Sequence, residues 1–233
     1  NKALSSSEVT TLYNETACTK AACSGTTNTL DILGDSSCIA AYPLDGSPLD
    51  LSGNYNGVQT DVTYPQGYFE QCVLINKNDS NSAITTNLTP PNTFTFSCWF
   101  KMEDTSTDSI IFSSPYNFSS PTGKNVMYVT SGGAIGFGIY SGSGILSSAT
   151  NINNGSWHHL VLITTNANNH TIYLDGSLTS INNTSLTLNT LGNFAFGRSD
   201  TNSKPSILDQ VRIFNKALSA GEVTTLYNET PCN

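Results

Sequence analysis

The chain alternates short apolar runs with polar stretches that contain turn-forming residues. Residues 93–102 show the clearest alternation, which is typical of a half-buried strand. Turn signals such as Ser131-Gly132-Gly133 and Asp175-Gly176 separate the runs. Many short strands at this spacing predict an all-β protein, built as a sandwich or a barrel. The predicted strands lie in residues 68–75, 93–102, 109–112, 126–130, 135–140, 158–164, 171–174, 193–197 and 207–214.

One short helix is predicted near the end of the chain. Ser219 and Glu222 have the spacing of a capping box, in which each residue satisfies a backbone N–H of the other. Val223, Leu226 and Tyr227 then fall at i, i+3 and i+4, on one apolar face. A helix of this length is marginal alone, so we expect it to dock on the sandwich.

The first residues of the chain repeat the sequence of this predicted helix. NKALSSSEVTTLYNETAC, from Asn1, and NKALSAGEVTTLYNETPC, from Asn215, differ at three positions. Such self-similarity indicates a tandem array with a period of roughly 214 residues. On this hypothesis residues 1–16 correspond to 215–230 of a preceding module, 17–37 form a Cys-containing linker, 38–230 form the sandwich and 231–233 begin the next linker. The candidate assembly residues are Leu4, Val9, Leu12 and Tyr13, which we expect to contact a neighbouring copy.

Composition narrows the choice of environment and partner. Charged residues make up 11% of the chain and the net charge is −8, which argues against nucleic acid as a partner. The sequence has no run of 18 apolar residues, so we predict no membrane insertion. A surface rich in Ser, Thr, Asn and Gly suits an extracellular or surface-attached module. The absence of a Met at position 1 favours a processed chain or a segment of a longer one.

Several segments resemble laminin-G-like domains of the concanavalin A-like lectin/glucanase superfamily. They are YPLDGSPLDLSGNYNG at 42–57, FTFSCWFK at 94–101, GSWHHLVL at 155–162, IYLDG at 172–176 and LDQVRIFNKALSAGEVTTLYN at 208–228. The resemblance covers residues 38–230 and implies an antiparallel jelly-roll sandwich with a short C-terminal helix. We expect Trp99 and Trp157 to anchor the packed sheets. It also implies that His158 and His159 lie on a strand and serve packing rather than catalysis.

The resemblance implies one cofactor, a structural calcium ion. Related sandwiches often hold calcium between an early turn and the acidic residue of the last long strand. The corresponding residues are Asp45 or Asp50 together with Asp209, and backbone carbonyls would complete the oxygen shell. The alternative is that these carboxylates cap turns by accepting backbone N–H groups. Glucanases of this fold carry closely spaced carboxylates, but the sequence has no E-x-D-x-E pattern, so we predict that the chain is not an enzyme.

Six cysteines without a CxxC pair favour disulfides over a metal framework. The resemblance suggests a disulfide between Cys72 and Cys98, because laminin-G-like relatives usually have small residues at both positions. The alternative is a pair of buried free thiols. Four further cysteines have no assigned partner, although two of the linker cysteines could pair locally: Cys18, Cys23, Cys38 and Cys232.

Glycosylation is a further hypothesis, because N-x-S/T acceptor sequences are frequent. Several would also occur by chance in a chain so rich in Asn, Ser and Thr. The candidates are Asn14, Asn78, Asn87, Asn117, Asn154, Asn169, Asn182, Asn183 and Asn228.

Two functions fit these patterns. The first is a structural or interaction module, the repeating unit of an extracellular fibre or surface filament, whose partners are neighbouring copies of itself. The alternative is a lectin-like adhesin module that binds carbohydrate. Its candidate sugar-stacking residues are loop tyrosines, for each of which ordinary packing is the competing interpretation: Tyr55, Tyr64, Tyr68, Tyr116 and Tyr140.

Overall fold

The computed structural model describes residues 30–75, 82–102, 108–115, 124–139, 144–146, 151–166, 169–182, 189–198 and 206–229. These residues form fifteen β-strands and one helix, which confirms the predicted all-β fold with a C-terminal helix. In chain order the elements are β1 (Cys38–Tyr42), β2 (Val58–Thr60), β3 (Val62–Thr63), β4 (Val73–Ile75), β5 (Ala83–Thr85), β6 (Phe94–Lys101), β7 (Ser109–Ser114), β8 (Asn125–Val129), β9 (Ile135–Ile139), β10 (Gly144–Leu146), β11 (Trp157–Asn166), β12 (Asn169–Leu174), β13 (Ser177–Asn182), β14 (Ala195–Arg198), β15 (Ser206–Phe214) and α1 (Ala220–Tyr227).

The strands form two antiparallel sheets. The larger sheet has the order β13-β12-β11-β6-β15-β4-β3, and β1 also pairs with β15. The smaller sheet has the order β10-β9-β8-β7-β14-β5-β2. Both sheets combine hairpin neighbours, such as β11 with β12 and β8 with β9, with strands that are distant in sequence, such as β6 with β15 and β7 with β14. This mixture is expected for a jelly-roll sandwich rather than a simple meander.

A bulge interrupts β15 in the middle of the larger sheet. The register of β15 with β6 shifts between Asp209 and Arg212, and Gln210 has a φ of 47°. A bulge of this kind bends the strand and changes the direction of neighbouring side chains. It also divides one edge of β15 between two partners, because β4 pairs with its first residues and β1 with its last.

The main core lies between the two sheets. On β6, Phe94, Phe96, Cys98 and Phe100 point into this core, while the residues between them point outward. The facing strands of the smaller sheet contribute residues such as Phe112, and alternate residues of each strand thus fill the sandwich.

A second apolar cluster lies on the outer face of the larger sheet. Helix α1 covers this face, and Leu218, Val223 and Leu226 pack there against Val161 and Phe214. The capping box predicted for α1 is present: the Ser219 side chain accepts from the Glu222 backbone N–H, and the Glu222 carboxylate accepts from the Ser219 backbone N–H. The prediction that the helix docks on the sandwich is confirmed.

Two predicted segments differ from the structure. Only the end of run 68–75 pairs as a strand, because the chain turns back at an isolated bridge between Gln66 and Gln71, where Glu70 has a φ of 34°. In the predicted linker, Leu30, Ile32 and Leu33 pack against the α1 cluster.

No helix among the described residues is both long and apolar enough to cross a bilayer.

Candidate functional site

The loops at one end of the sandwich enclose a cleft of about 320 Å³, here called the end cleft. Its rim consists of exposed Thr89, Asn92, Asn189 and Thr190, which carry hydroxyl and amide groups. Beneath them lie three residues that are buried or half-buried: Pro90, Thr164 and Leu191. None of the lining residues that the structure describes carries a charged side chain. A small cleft with an apolar floor and a neutral polar rim suits an uncharged, hydroxyl-bearing ligand.

Two side chains of the smaller sheet, one amide and one hydroxyl, each hydrogen-bond to both backbone polar groups of a residue in a loop of the cleft. The Asn125 side chain donates to the Asn189 carbonyl at 2.9 Å and accepts from the Asn189 N–H at 3.0 Å. The Ser114 hydroxyl holds Gly192 in the same way, with 2.8 Å to its carbonyl and 3.0 Å to its N–H. These bonds fix the loop that carries Thr190 to the smaller sheet, so the rim is held before a ligand arrives.

An aromatic cluster occupies the outer face of the larger sheet, beside α1. Trp99 is 4% exposed and lies between two nearly parallel rings, with centroids 4.0 Å from Tyr68 and 5.9 Å from Tyr227. Trp157 lies 6.1 Å from Tyr68. The expectation that the two tryptophans anchor the packing between the sheets is therefore wrong. They lie on the opposite face, where Trp99 holds a loop and the helix against the sheet.

The two adjacent histidines have separate partners. His158 Nδ1 contacts the Asp175 carboxylate at 2.8 Å, whereas His159 Nε2 contacts the Ser97 hydroxyl at 3.0 Å. The carboxylate that would orient a general base and the hydroxyl that would be activated thus belong to different histidines. His159 is 2% exposed, and burial lowers its pKa to about 3. This arrangement agrees with the packing role predicted for the pair.

The first calcium candidate, Asp50, is engaged in holding a turn. Its carboxylate accepts backbone N–H groups from Ala41 at 2.9 Å, Ser52 at 3.1 Å and Tyr55 at 3.1 Å, and the Ser52 hydroxyl as well. Asp50 thereby ties the turn to β1. These bonds favour the turn-capping alternative for Asp50.

Asp209 is the candidate that fits a cation best, whereas one oxygen of Asp45 accepts the Gln71 N–H at 2.9 Å. Asp209 is fully buried: one oxygen accepts the Phe69 N–H at 2.9 Å, and the other has no hydrogen-bond partner among the described residues. Burial, together with the nearby charge of Asp45, raises the Asp209 pKa to about 8. Ca²⁺ is bound by carboxylate and carbonyl oxygens, so this oxygen has the chemistry of a Ca²⁺ ligand. The described residues hold no group of three or more His, Cys, Asp or Glu side chains, so backbone carbonyls would have to complete the shell.

Comparison with known proteins assigns the chain to a family. A family model described as the concanavalin A-like lectin/glucanases superfamily matches residues 76–224, which is more than half of the chain. The chain belongs to this superfamily. The resemblance stated from the sequence is confirmed, whereas a search of curated proteins finds no match.

Solved structures with a similar fold include one domain of an arabinanase and the binding domains of two toxins. Domain 4 of AbnA, an extracellular arabinanase from Geobacillus stearothermophilus solved with arabinotriose, has a TM-score of 0.65 and 20% identity, covering 82% of this chain and 98% of that one. The binding domain of Paraclostridial Mosquitocidal Protein 1 has a TM-score of 0.63 and 19% identity, and the match covers 82% of this chain and 52% of that one. The Botulinum Neurotoxin Type G receptor binding domain has a TM-score of 0.63 and 21% identity, and the match covers 82% of this chain and 51% of that one. The chain therefore spans about half the length of the two toxin domains.

The disulfide predicted between Cys72 and Cys98 is not formed in the structure. Both are buried free thiols. Val73, next to Cys72, pairs with Leu208 of β15, which pairs on its other side with Phe100 of β6. Two strand spacings, about 10 Å, therefore separate the strands, whereas a disulfide needs Cα atoms within about 7 Å. Cys38 is also a free thiol, and Cys18, Cys23 and Cys232 lie outside the described residues.

The tyrosines proposed for sugar stacking have other contacts. Tyr55 and Tyr64 pack against the main core, and the Tyr64 hydroxyl contacts the Gln59 side chain at 2.6 Å. One ring face of Tyr68 is covered by Trp99. Tyr116 and Tyr140 lie outside the described residues. Packing is thus the better interpretation for the three tyrosines that the structure describes.

The glycosylation candidates differ in accessibility. Asn87, Asn154 and Asn228 are exposed, whereas Asn169 is half-buried in β12. Asn182 ends β13. The remaining glycosylation candidates lie outside the described residues: Asn14, Asn78, Asn117 and Asn183. The predicted assembly residues Leu4, Val9, Leu12 and Tyr13 also lie outside them.

Sequence reasoning did not find the end cleft. Its rim comes from two loops far apart in the sequence, which carry Thr89-Pro90-Pro91-Asn92 and Asn189-Thr190. Each has the composition of an ordinary turn. Only the strand order brings them together, beside the end of β11 that carries Thr164.

Proposed function

We propose that the chain is an extracellular, non-enzymatic binding module that takes an uncharged carbohydrate in the end cleft. The observation that carries the proposal is the cleft lining, whose described residues place hydroxyl and amide groups at the rim and include no charged side chain. Sugar hydroxyls both donate and accept hydrogen bonds, as the side chains of Thr and Asn do. The volume of about 320 Å³ suits one or two sugar rings rather than a long polymer.

The comparisons support this choice without carrying it. Domain 4 of AbnA was solved with arabinotriose, a neutral oligosaccharide, and it shares this fold at nearly full length. At 20% identity such a likeness extends to the fold alone, so the ligand of this chain has to be argued from its own cleft.

Calorimetric titration of the full chain with neutral oligosaccharides, arabinotriose first, tests the proposal. We expect saturable binding that Asn92→Ala and Thr190→Ala each weaken, since both side chains are exposed and their removal should not disturb folding. Thr63→Ala, at the exposed edge strand β3, is the matched control and should bind like the native chain. Absence of binding to a broad panel of neutral glycans, or equal binding by all four proteins, would contradict the assignment.

A second candidate function is that of a repeating unit whose partners are neighbouring copies, as in a fibre or surface filament. The duplicated segment at residues 1–18 and 215–232 favours it. Electron microscopy of the natural assembly should show regularly spaced globular modules. A single isolated module would refute this candidate and leave carbohydrate binding unaffected.

We also propose that Asp45 and Asp209 are ligands of a structural calcium ion. The support is the buried, unpaired oxygen of Asp209. Calorimetric titration with CaCl₂ should give a single site in the native chain that Asp209→Asn abolishes, whereas Asp31→Asn, at an exposed residue, should retain it. Equal calcium binding by the Asp209→Asn protein would exclude this site.

A further inference from the structure

The outer face of the larger sheet forms a binding surface for α1, here called the helix slot. Its members share contact with α1 or with the residues that flank it: Cys38, Ala41, Val161, Ile163, Arg212 and Phe214. The occupant inserts Leu218, Val223 and Leu226, each no more than 5% exposed. Removing these apolar side chains from water is the main source of docking free energy.

Polar contacts fix the occupant in one register. Arg212 makes two hydrogen bonds to the Glu229 carboxylate, just beyond the helix. The Thr95 hydroxyl donates to the Lys216 carbonyl at 2.8 Å and accepts from the Leu218 N–H at 3.2 Å, just before it. Gly176 leaves room for Tyr227, since a Cβ there would lie 2.9 Å from the tyrosine ring. The slot therefore recognises a particular sequence, not merely an apolar helix.

The N-terminal segment contains every one of these docking residues. With Asn1 aligned on Asn215, the counterparts of the residues that contact the slot and of the capping box are Lys2, Leu4, Ser5, Glu8, Val9, Leu12, Tyr13 and Glu15. Two of the three differences replace Ala220 and Gly221, which are exposed on α1, by serine. The third difference, at Pro231, lies outside the described residues.

We propose that the helix slot is a recognition site for this sequence and accepts residues 1–16 of a second copy of the chain. Each copy has one slot but two segments that fit it. The α1 of the same chain is joined to β15 by residues 215–219 alone, so its effective concentration at its own slot is high. The N-terminal segment therefore enters a slot only by displacing the α1 that fills it. When that slot belongs to another copy, the exchange links the two copies.

This inference rests on the same duplicated segment as the repeating-unit proposal and deepens that proposal by adding the contacts of the helix slot. A covalent tandem array requires only that modules follow one another along the chain. Segment exchange additionally requires that residues 1–16 bind the slot. Its failure would leave a covalent array intact, and the test below does not depend on carbohydrate binding.

The test weakens α1 in the full chain and measures association. Leu226→Ala removes a side chain that is fully buried in the slot, which should weaken α1 docking at least about 30-fold. Analytical ultracentrifugation should then show concentration-dependent dimers or longer chains. The double variant Leu12→Ala/Leu226→Ala should remain monomeric. Thr11→Ala/Leu226→Ala is the matched control and should associate, because its counterpart Thr225 is exposed on α1.

Several outcomes would overturn the proposal. One is a Leu226→Ala protein that stays monomeric at every concentration. If Leu12 stabilises that monomer, residues 1–16 occupy the slot of their own chain and not that of a second copy, which also contradicts the proposal. Another is association that persists without Leu12. If Leu226→Ala does not fold, a labelled peptide of residues 1–16 is titrated onto the full chain with the milder substitution Val223→Ala, which weakens the docking of α1 and so opens the slot to the peptide. Binding that Leu12→Ala in the peptide abolishes supports the proposal, and no binding at millimolar peptide refutes it.

Discussion

Arg212 and Glu229 form a buried two-point ion pair between the larger sheet and the end of α1. The two guanidinium nitrogens lie 2.7 and 2.8 Å from the two carboxylate oxygens, and the side chains are only 3% and 2% exposed. Parallel contacts of this kind fix geometry as well as charge. Arg212 also contacts the Gln210 side chain at 3.2 Å, so the bulge in β15 is tied to the same network.

Removal of one partner of this pair should be costly. Glu229→Gln leaves the Arg212 charge buried without a counter-ion, which typically destabilises a protein by about 3–5 kcal/mol. Urea unfolding of the purified chain measures the loss. The comparison variant is Asp35→Asn, whose ion pair with Lys216 lies at the surface and should contribute far less. Equal unfolding midpoints for Glu229→Gln and the native chain would show that the pair does not anchor the helix.

Burial of His159 should make stability fall at acidic pH. Its pKa is lowered to about 3, first by burial and then by the positive charge of Arg212, whereas the unfolded chain protonates near 6.5. Because the unfolded state binds the extra proton, this contribution is fully present above pH 6.5 and is lost as the pH falls toward 3. The expected slope is about 1.4 kcal/mol per pH unit. His159→Gln should remove it in urea titrations, and an unchanged slope would refute the assignment.

Asp209 should act in the opposite direction. Burial raises its pKa to about 8, so the native state keeps a proton that the unfolded state releases near pH 3.8. Its contribution is present below pH 3.8 and is lost as the pH rises to 8. In chelator, Asp209→Asn should therefore reduce the loss of stability between pH 6.5 and 8, where His159 no longer titrates. Calcium should raise the stability of the native chain at pH 8 and leave that of Asp209→Asn unchanged. A calcium effect of equal size in both proteins would contradict this prediction.

The parts of the fold that depend on local pattern could be predicted from the sequence. The alternation of large and small side chains in β6 identifies both the strand and its core-facing residues, because a strand presents every second side chain to one face. Likewise the spacing of Ser219 and Glu222 predicts where α1 begins, because the capping box is a contact within one helical turn.

The parts that depend on strand order could not. Trp99 lies directly between the core-facing residues Cys98 and Phe100, and its hydrophobicity alone would place it in the main core as well. It lies outside because the larger sheet has a second apolar face beneath α1. The Cys72–Cys98 disulfide is predicted from the small residues that laminin-G-like relatives usually have at both positions, but β15 lies between the two strands. Arg212 is the one charged residue in the last five positions of β15, a signal that could have indicated a buried ion pair.

Glycosylation in a eukaryotic host should follow accessibility. Asn87 lies in the exposed part of the β5–β6 loop and Asn228 follows α1, so both amides can reach a transferase. The side-chain Oδ1 of Asn154 instead accepts the Ser156 N–H at 2.8 Å, and Asn169 lies within β12. Peptide mapping after enzymatic deglycosylation should show higher occupancy at Asn87 and Asn228 than at Asn154 and Asn169. The reverse order would show that these contacts do not limit modification.

The three described cysteines should be unreactive while the chain is folded. Burial raises the pKa of both Cys38 and Cys72 to about 12 and that of Cys98 well above its usual value, and only the thiolate reacts with alkylating reagents. Iodoacetamide at pH 8 should leave all three unmodified in buffer and label all three in denaturant without a reductant. Mass spectrometry of the corresponding peptides measures the labelling. A peptide that is labelled in denaturant only after reduction would show a disulfide at that cysteine, and labelling of the folded chain would show that burial does not protect the thiol.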